Sequence, residues 1–186
     1  ANKNNMEIIY FLLDYNGNRI QDRLFMNAKK IEHFEIPSFI ISIGECAFQK
    51  CISLKEVSIP SSVTILGHSS FYYGNSLMKI DLPSSITSIG DYSFTGCKSL
   101  TEMIYPSSIS SISHCCLKCC NSLTNILIPS SVTEIGRLAF SECTSLKQIT
   151  IPPSVTLIQH SAFEGCSSLE QVSLPDTLTI ISDCLF

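Results

Sequence analysis

The chain has 186 residues, a formal net charge of −4 at pH 7 and a hydrophobic content of 45%. This length is typical of one domain, and the hydrophobic content supports a substantial core. The chain has no basic tract, which argues against nucleic-acid binding, because such binding needs clustered Lys and Arg to neutralise phosphates. The longest aliphatic and aromatic run, Ile8–Leu13, is far below the roughly 20 residues of a membrane-spanning helix, so no membrane span is expected.

The N-terminal segment precedes the regular part of the sequence. Residues 1–7 are polar, and we expect them to form a tail outside the fold. Ile8–Leu13 already has the apolar spacing of the later strands, and Asn16-Gly17 is a tight-turn signal. Two interpretations stay open, a degenerate first turn of the fold and a capping hairpin over its open end. The degenerate turn is favoured, because Ile20 occupies a position that later segments repeat.

The rest of the chain repeats with a period of 23 residues. We take Ile128 as position 1 of the period and call each period a row. Position 2 is proline, position 18 is serine and position 19 is leucine in nearly every row. Position 13 holds Phe25, Phe48, Phe71, Phe94, Leu117, Phe140, Phe163 and Phe186. A fixed period of roughly 20–50 residues is the signature of a solenoid, in which each row packs only on its neighbours.

The first part of each row predicts a strand. In Leu123-x-x-Ile126-x-Ile128 the apolar side chains point inward, whereas Asn125 and Leu127 point to the opposite face. The proline that follows has no N–H to donate and is expected to end the strand. Equivalent strands are expected from Ile31, Leu54, Leu77, Leu100, Leu146 and Leu169.

The second part of each row predicts a turn back into the core. Val132 and Ile135 indicate a second, shorter strand that turns at Gly136, which tolerates a positive φ. Leu138–Cys143 then fits one helical or 3₁₀ turn, in which Phe140 fills the core. A single row buries too little apolar surface to offset the entropy of ordering its backbone. Rows must therefore stack, with their strands paired in parallel at about 4.8 Å.

The repeated motif is Leu-x-x-Ile-x-Ile-Pro-Ser-Ser-Val-Thr-x-Ile-Gly-x-x-Ala-Phe-x-x-Cys-x-Ser. Over about residues 8–186 it resembles the leucine-rich repeat of the BspA-like surface antigens, as found in treponemal, Bacteroidales, trichomonad and Entamoeba proteins. The resemblance implies an α/β repeat fold, namely a leucine-rich-repeat solenoid with a parallel concave β-sheet, short second strands and short helical or 3₁₀ turns. It also implies cell-surface display, adhesion and binding of host proteins. The motif itself contains no functional residue.

The domain organisation follows from the extent of the repeat. We expect a polar tail over residues 1–7 and a single leucine-rich-repeat solenoid domain over residues 8–186. The chain stops at Phe186, in the middle of a row. We therefore expect the full protein to continue beyond this residue.

The ten cysteines suggest buried thiols rather than a disulfide framework. Position 16 holds Cys51, Cys97, Cys120, Cys143 and Cys166, with Gly74 in one row. Such a column predicts a stack of buried free thiols, in which cysteine behaves as a small hydrophobic residue. Cys116-x-x-Cys119 has the spacing of a zinc site, but Cys116 occupies an inward position and no second pair faces it. No metal or other cofactor is expected, and Cys115 and Cys119 are predicted to be exposed.

Catalytic residues are not evident. His68, His114 and His160 share position 10, a variable position, and are predicted to be solvated turn residues. The repeated serine is predicted to bond turn backbone. No Ser/His/Asp or Cys/His set is indicated, so the chain is not expected to be an enzyme.

The outward strand positions 21 and 23 change in charge and size from row to row. Ile104 and Leu127 are adjacent apolar residues there with polar neighbours, which suits protein binding. Isolated surface aliphatic residues are also normal, so both interpretations stay open. The candidate binding residues on the concave face are Glu56, Lys79, Asp81, Glu102, Ile104, Asn125, Leu127, Gln148 and Thr150.

The leading hypothesis is a protein-binding module of a cell-surface or secreted adhesin or antigen, which engages host or matrix proteins through its concave sheet. The alternative hypothesis is an intracellular, cytoplasmic scaffold that binds a signalling partner through the same face. The predicted free thiols are compatible with this alternative.

Overall fold

The structure is a computed structural model, and it describes residues 17–181. The paired strands are parallel and 23 residues apart along the chain, so that Arg19 lies beside Ser42 and Ser42 beside Ile65. No pairing joins Ser88–Ile89 to Ser111–Ile112, which belong to two separate sheets. The result is a parallel β-solenoid with one row per sequence period. Ile8–Leu13, and with it the choice between a degenerate first turn and a capping hairpin, lies outside the described residues.

Two sets of strands run along the solenoid, numbered in chain order. The two-residue strands are β1 (Arg19–Ile20), β3 (Ser42–Ile43), β5 (Ile65–Leu66), β7 (Ser88–Ile89), β9 (Ser111–Ile112), β10 (Glu134–Ile135), β12 (Leu157–Ile158) and β14 (Ile180–Ile181). The three-residue strands are β2 (His33–Glu35), β4 (Glu56–Ser58), β6 (Lys79–Asp81), β8 (Glu102–Ile104), β11 (Gln148–Thr150) and β13 (Gln171–Ser173). The described residues form no helix, and therefore none that could cross a bilayer.

The three-residue strands build one side of the solenoid. β2, β4, β6 and β8 form one parallel sheet, and β11 and β13 form another. Between them, the row of Leu123–Ile128 contributes only a single bridge from Leu127 to Ile104. The side chains in that row still alternate as predicted, because Ile126 is buried while Asn125 and Leu127 are exposed. The sequence pattern therefore gives the side-chain directions correctly, although the predicted strand is reduced to one bridge.

The predicted helical or 3₁₀ turn at Leu138–Cys143 is not found. The N–H groups of Leu138, Phe140 and Glu142 donate to carbonyl oxygens of the next row at 3.1, 2.8 and 2.7 Å. The N–H groups between them donate to carbonyls three residues back in their own row. This alternation requires left-handed backbone, with φ of 56° at Leu138 and 61° at Glu142. A 3₁₀ helix cannot form, because half of its N–H groups bond to the neighbouring row.

The predicted positive φ at Gly136 is also wrong, because the left-handed residues lie two and six positions later. Gly136 is instead confined by the previous row. A Cβ at this position would lie 2.8 Å from the carbonyl oxygen of Ile112 and 2.9 Å from the backbone nitrogen of His114. The absent side chain allows two rows to approach closely at this turn.

Phenylalanine rings at position 13 form the centre of the core. Phe71 stacks on Phe48 and on Phe94, with ring centroids 5.3 and 5.5 Å apart and planes within 3° of parallel. Leu117 interrupts this column. Position 1 of the same row is Tyr105, whereas other rows carry Ile or Leu at this position. The buried Tyr105 hydroxyl donates to the Cys116 sulfur at 3.3 Å.

The position-16 thiols each donate a hydrogen bond to the previous row. The acceptor is the position-13 carbonyl, at 3.2 Å for Cys120 and Cys143 and 3.4 Å for Cys97. All nine described cysteines are free thiols, and of the position-16 set only Cys166 is partly exposed. The predicted exposure of Cys115 is wrong, since it is only 2% exposed.

Thiol titration tests this arrangement. In denaturant without reductant, all ten cysteines are expected to react with a chromogenic disulfide reagent. In the native protein, only the two partly exposed thiols among the described residues, Cys119 and Cys166, are expected to react readily. A count near zero in denaturant would show that the thiols are paired in disulfides.

Candidate functional site

The three-residue strands present a continuous exposed surface, which we call the strand face. It consists of positions 20, 21 and 23 in the rows from residue 32 to residue 173, and every one of these residues is exposed. It includes all nine predicted binding residues, Glu56, Lys79, Asp81, Glu102, Ile104, Asn125, Leu127, Gln148 and Thr150. The alternation of a short strand explains this exposure, because the residue between the two outward positions points into the core.

The structure brings most, but not all, of the predicted residues together. Glu56, Lys79 and Glu102 lie side by side on β4, β6 and β8. Asp81 lies beside Ile104, which in turn bridges to Leu127. Gln148 and Thr150 belong to the separate pair β11–β13, and no strand pairing among the described residues joins them to the row of Leu127.

Ile104 and Leu127 form an exposed apolar pair near the middle of this face. Their exposed fractions are 66% and 69%, higher than for any other large hydrophobic residue in the described part of the chain. Met78, one row before Ile104, is 52% exposed. Hydration of two such apolar side chains in adjacent rows is unfavourable, so their burial against another surface would be favourable.

Ion pairs occupy part of the strand face. Lys55 Nζ lies 2.7 Å from Glu32 and Lys79 Nζ lies 3.2 Å from Asp81. His33 Nδ1 lies 3.5 Å from Glu56 and forms an ion pair only when the imidazole is protonated. The hydrogen bond and charge of Lys55 lower the pKa of the Glu32 carboxyl. These pairs are solvent-exposed, so they add little to the stability of the fold.

Short side chains leave two adjoining hollows on the same face. One has a volume of about 240 Å³ and is lined by Glu56, Ser58, Lys79 and Asp81 together with buried strand residues. The other has a volume of about 290 Å³ and is lined by His33, Glu35, Glu56 and Ser58. Ser58 belongs to both, because its small side chain stands in position 23 between Glu35 and Asp81. The hollows are shallow and bordered by carboxylates.

A second feature, which the sequence analysis missed, lies at the turns. Tyr72, Tyr73, Tyr92, His68 and His114 form a tyrosine cluster with edge-to-face ring contacts. The Tyr92 hydroxyl and His114 Nε2 are 2.8 Å apart. His114 is therefore half-buried, which corrects its prediction as a solvated residue, whereas His68 and His160 are exposed. The cluster joins turn positions of three adjacent rows, so only the 23-residue alignment of these rows could have suggested it.

Metal-ligating groups are sparse in the described residues, where no three His, Cys, Asp or Glu side chains converge. Burial raises the pKa of the Cys116 thiol to about 12, and its sulfur accepts a hydrogen bond from the Tyr105 hydroxyl. A thiolate, the form that binds zinc, is therefore strongly disfavoured at this residue.

The family comparison decides the identity of the repeat. The BspA type leucine rich repeat region, in six copies, matches residues 18–143 and 67–186. The chain belongs to this family. A search of the curated proteins finds no significant match.

Solved structures of leucine-rich-repeat proteins share the fold. A leucine rich cell surface protein of Faecalibacterium prausnitzii is 34% identical, with a TM-score of 0.77 over 83% of this chain and 42% of its own. A leucine-rich-repeat protein of T. pallidum is 31% identical, with a TM-score of 0.80 over 88% of this chain and 78% of its own. The pneumococcal vaccine antigen PcpA, 21% identical with a TM-score of 0.53, supports the fold alone. This chain thus spans less than half of the Faecalibacterium protein.

Proposed function

We propose that this BspA-type chain is a protein-binding module of a cell-surface adhesin or antigen, which engages a host or matrix protein through the strand face. The observation that carries the proposal is the pair Ile104 and Leu127, exposed side by side among polar residues. The likeness to a surface protein of Faecalibacterium prausnitzii supports the location. Membership of a repeat family supports binding over catalysis, because solenoids typically bind through an extended surface.

The proposed mechanism combines shape with distributed contacts. Protein interfaces have an apolar centre that excludes water and a polar rim that remains partly solvated. Ile104 and Leu127 fit the centre, and Asp81, Glu102 and Asn125 surround them. Full burial of an aliphatic side chain of this size contributes roughly 1.5–3 kcal/mol. In a leucine-rich-repeat solenoid the strand face is expected to be concave, which would let several rows contact one partner.

Replacing Ile104 and Leu127 together by Thr is expected to lower affinity for the partner at least about tenfold, equivalent to about 1.4 kcal/mol. Thr150 already occupies the same position, so the double variant should fold. The measurement is a titration of the full chain against purified matrix and host proteins, with circular dichroism to verify folding.

The matched control replaces Ile41 and Ile65 by Thr. These residues are 45% and 46% exposed but lie at the two-residue strands, away from the strand face. Their loss should leave affinity unchanged. If the Ile104/Leu127 variant binds like wild type, the strand face is not the binding surface, and the tyrosine cluster with His68 and His114 becomes the next surface to test.

The second candidate function is an intracellular scaffold that binds a signalling partner. It is favoured by one observation, namely that all nine described cysteines are free thiols. Protease treatment of intact cells that express the full-length protein distinguishes the two. A surface protein is degraded under these conditions, whereas a cytoplasmic scaffold is protected until the cells are lysed.

A further inference from the structure

We infer that the partner of the strand face is a basic protein segment that carries an apolar side chain. Its cations contact the acidic rows at β2, β4, β6 and β8, and its apolar side chain covers Ile104 and Leu127. This inference rests on the proposed function, and it adds the chemistry of the partner and its orientation across the rows.

The charge of the strand face is unevenly distributed. Its first four rows carry five carboxylates and two lysines, Glu32, Glu35, Glu56, Asp81, Glu102, Lys55 and Lys79. Its last three rows carry one of each, Lys147 and Glu170. The first four rows thus hold an excess of three negative charges, against −4 for the whole chain. A local field of this sign attracts a basic partner and repels an acidic one.

Two carboxylates in the first four rows of this face are free to accept a partner's cation. Lys55 and Lys79 already pair with Glu32 and Asp81. Among the described residues, Glu35 and Glu102 form no ion pair within 4.0 Å. A purely apolar partner would cover these carboxylates without compensating the loss of their hydration, which is unfavourable. An Arg or Lys side chain replaces that hydration with a charge-assisted hydrogen bond.

Strand geometry links the charged and apolar parts of the surface. Glu102 and Ile104 are two residues apart on β8, so both point outward on the same face. A cation bound at Glu102 therefore places the neighbouring partner side chain above Ile104 and, across the bridge, above Leu127. The hollows around Ser58, about 240 and 290 Å³ in volume, give room for further long side chains beside Glu35 and Glu56.

The test uses a phage-displayed library of random short peptides, selected on the full chain. Peptides that bind are expected to carry net positive charge and at least one large apolar residue. Replacing Glu35 and Glu102 by Lys should lower their affinity at least about tenfold. Raising NaCl from about 50 to about 500 mM should weaken wild-type binding, and the E35K/E102K variant should show less salt dependence.

The matched control replaces Glu45 and Glu164 by Lys, which makes the same change in total charge at two exposed turn positions. It should alter affinity by less than about twofold. A similar loss in this control would overturn the inference, because the effect would then come from total charge rather than from the strand face.

The outcomes separate the inference from the proposed function. Peptides that need Ile104 and Leu127 but are neutral or acidic, and that bind E35K/E102K like wild type, overturn the inference and leave the proposed function standing. If no selected peptide depends on Ile104 and Leu127 or on Glu35 and Glu102, both the inference and the proposed function are overturned. Basic peptides that lose affinity when either the Ile104/Leu127 pair or the Glu35/Glu102 pair is replaced support both the inference and the proposed function.

Discussion

Replacing Phe140 by Ala is expected to lower the free energy of unfolding by about 3–5 kcal/mol. Phe140 has an exposed fraction of 0%, and its ring stacks on Phe163 with centroids 5.3 Å apart. Its row is covered on both sides. The loss therefore combines the transfer free energy of the ring with a cavity and two weakened row–row interfaces, on which the stability of a solenoid depends. Urea denaturation followed by circular dichroism measures the change.

The matched control is Phe140→Leu, because Leu117 occupies the same position one row earlier. This variant keeps an apolar side chain in the column and is expected to lose about 1–2 kcal/mol. An unfolding midpoint of Phe140→Ala equal to that of wild type would show that position 13 does not form the core.

The fold is expected to become unstable in mild alkali, above about pH 9. Burial raises the pKa of Cys97 and Cys116 from 9.0 to about 12 and that of Cys51 and Cys166 to about 11. Burial also raises the pKa of Cys120 and Cys143 well above 9.0. Burial also raises the pKa of Cys46 and Cys115 above 9.0, so the folded state holds the protons of these eight thiols more tightly than the unfolded chain does.

The direction of the pH effect follows from proton linkage. The stability that these thiols contribute is fully present below about pH 9, where both states are protonated. As the pH rises toward the folded pKa values of about 11–12, the unfolded chain loses protons that the folded state retains. Each such thiol then lowers the free energy of unfolding by about 1.4 kcal/mol per pH unit. The free energy of unfolding is therefore expected to fall steadily as the pH rises above about 9.

Thermal unfolding between about pH 7 and about pH 10.5, with a phosphine reductant present, measures the effect. Replacing Cys97 and Cys143 by Ala removes two of these eight thiols and should make the fall of stability with pH less steep. Gly74 shows that position 16 accepts a residue without a thiol. A melting temperature that stays constant up to about pH 10.5 would contradict the burial of the thiols.

The sequence predicts what is repeated within a row and fails where the next row intervenes. The exposure of Leu127 follows from strand alternation, and the burial of Phe140 follows from the apolar residue repeated at position 13, so both lie where expected. The turn at Leu138 and Glu142 could not be predicted, because both are non-glycine residues with positive φ and both donate to the next row. Local sequence carries no signal for a hydrogen bond whose acceptor is about 20 residues away.

The features of the candidate site also separate into those that the sequence predicts and those that depend on contacts between rows. The exposure of Ile104 and Leu127 follows from the strand pattern, and their contact follows from the period. The uneven charge can be counted in the sequence, but the ion pairs that leave Glu102 free depend on side-chain geometry. The bond between Tyr92 and His114 joins different positions of two rows, so aligning the rows brings the two residues near each other without showing that they bond.

The column of thiol-to-carbonyl hydrogen bonds has a consequence for how the protein is made. Once a row is covered by the next, its thiol is buried and protonated, so it is slow to react with oxidants or disulfides. Before that, the unfolded chain exposes ten reactive cysteines. In an oxidising compartment, each new row must therefore stack before its cysteine is oxidised. The yield of folded protein then depends on the rate of row-by-row folding relative to the rate of disulfide formation. Only the completed fold protects the buried thiols from oxidation.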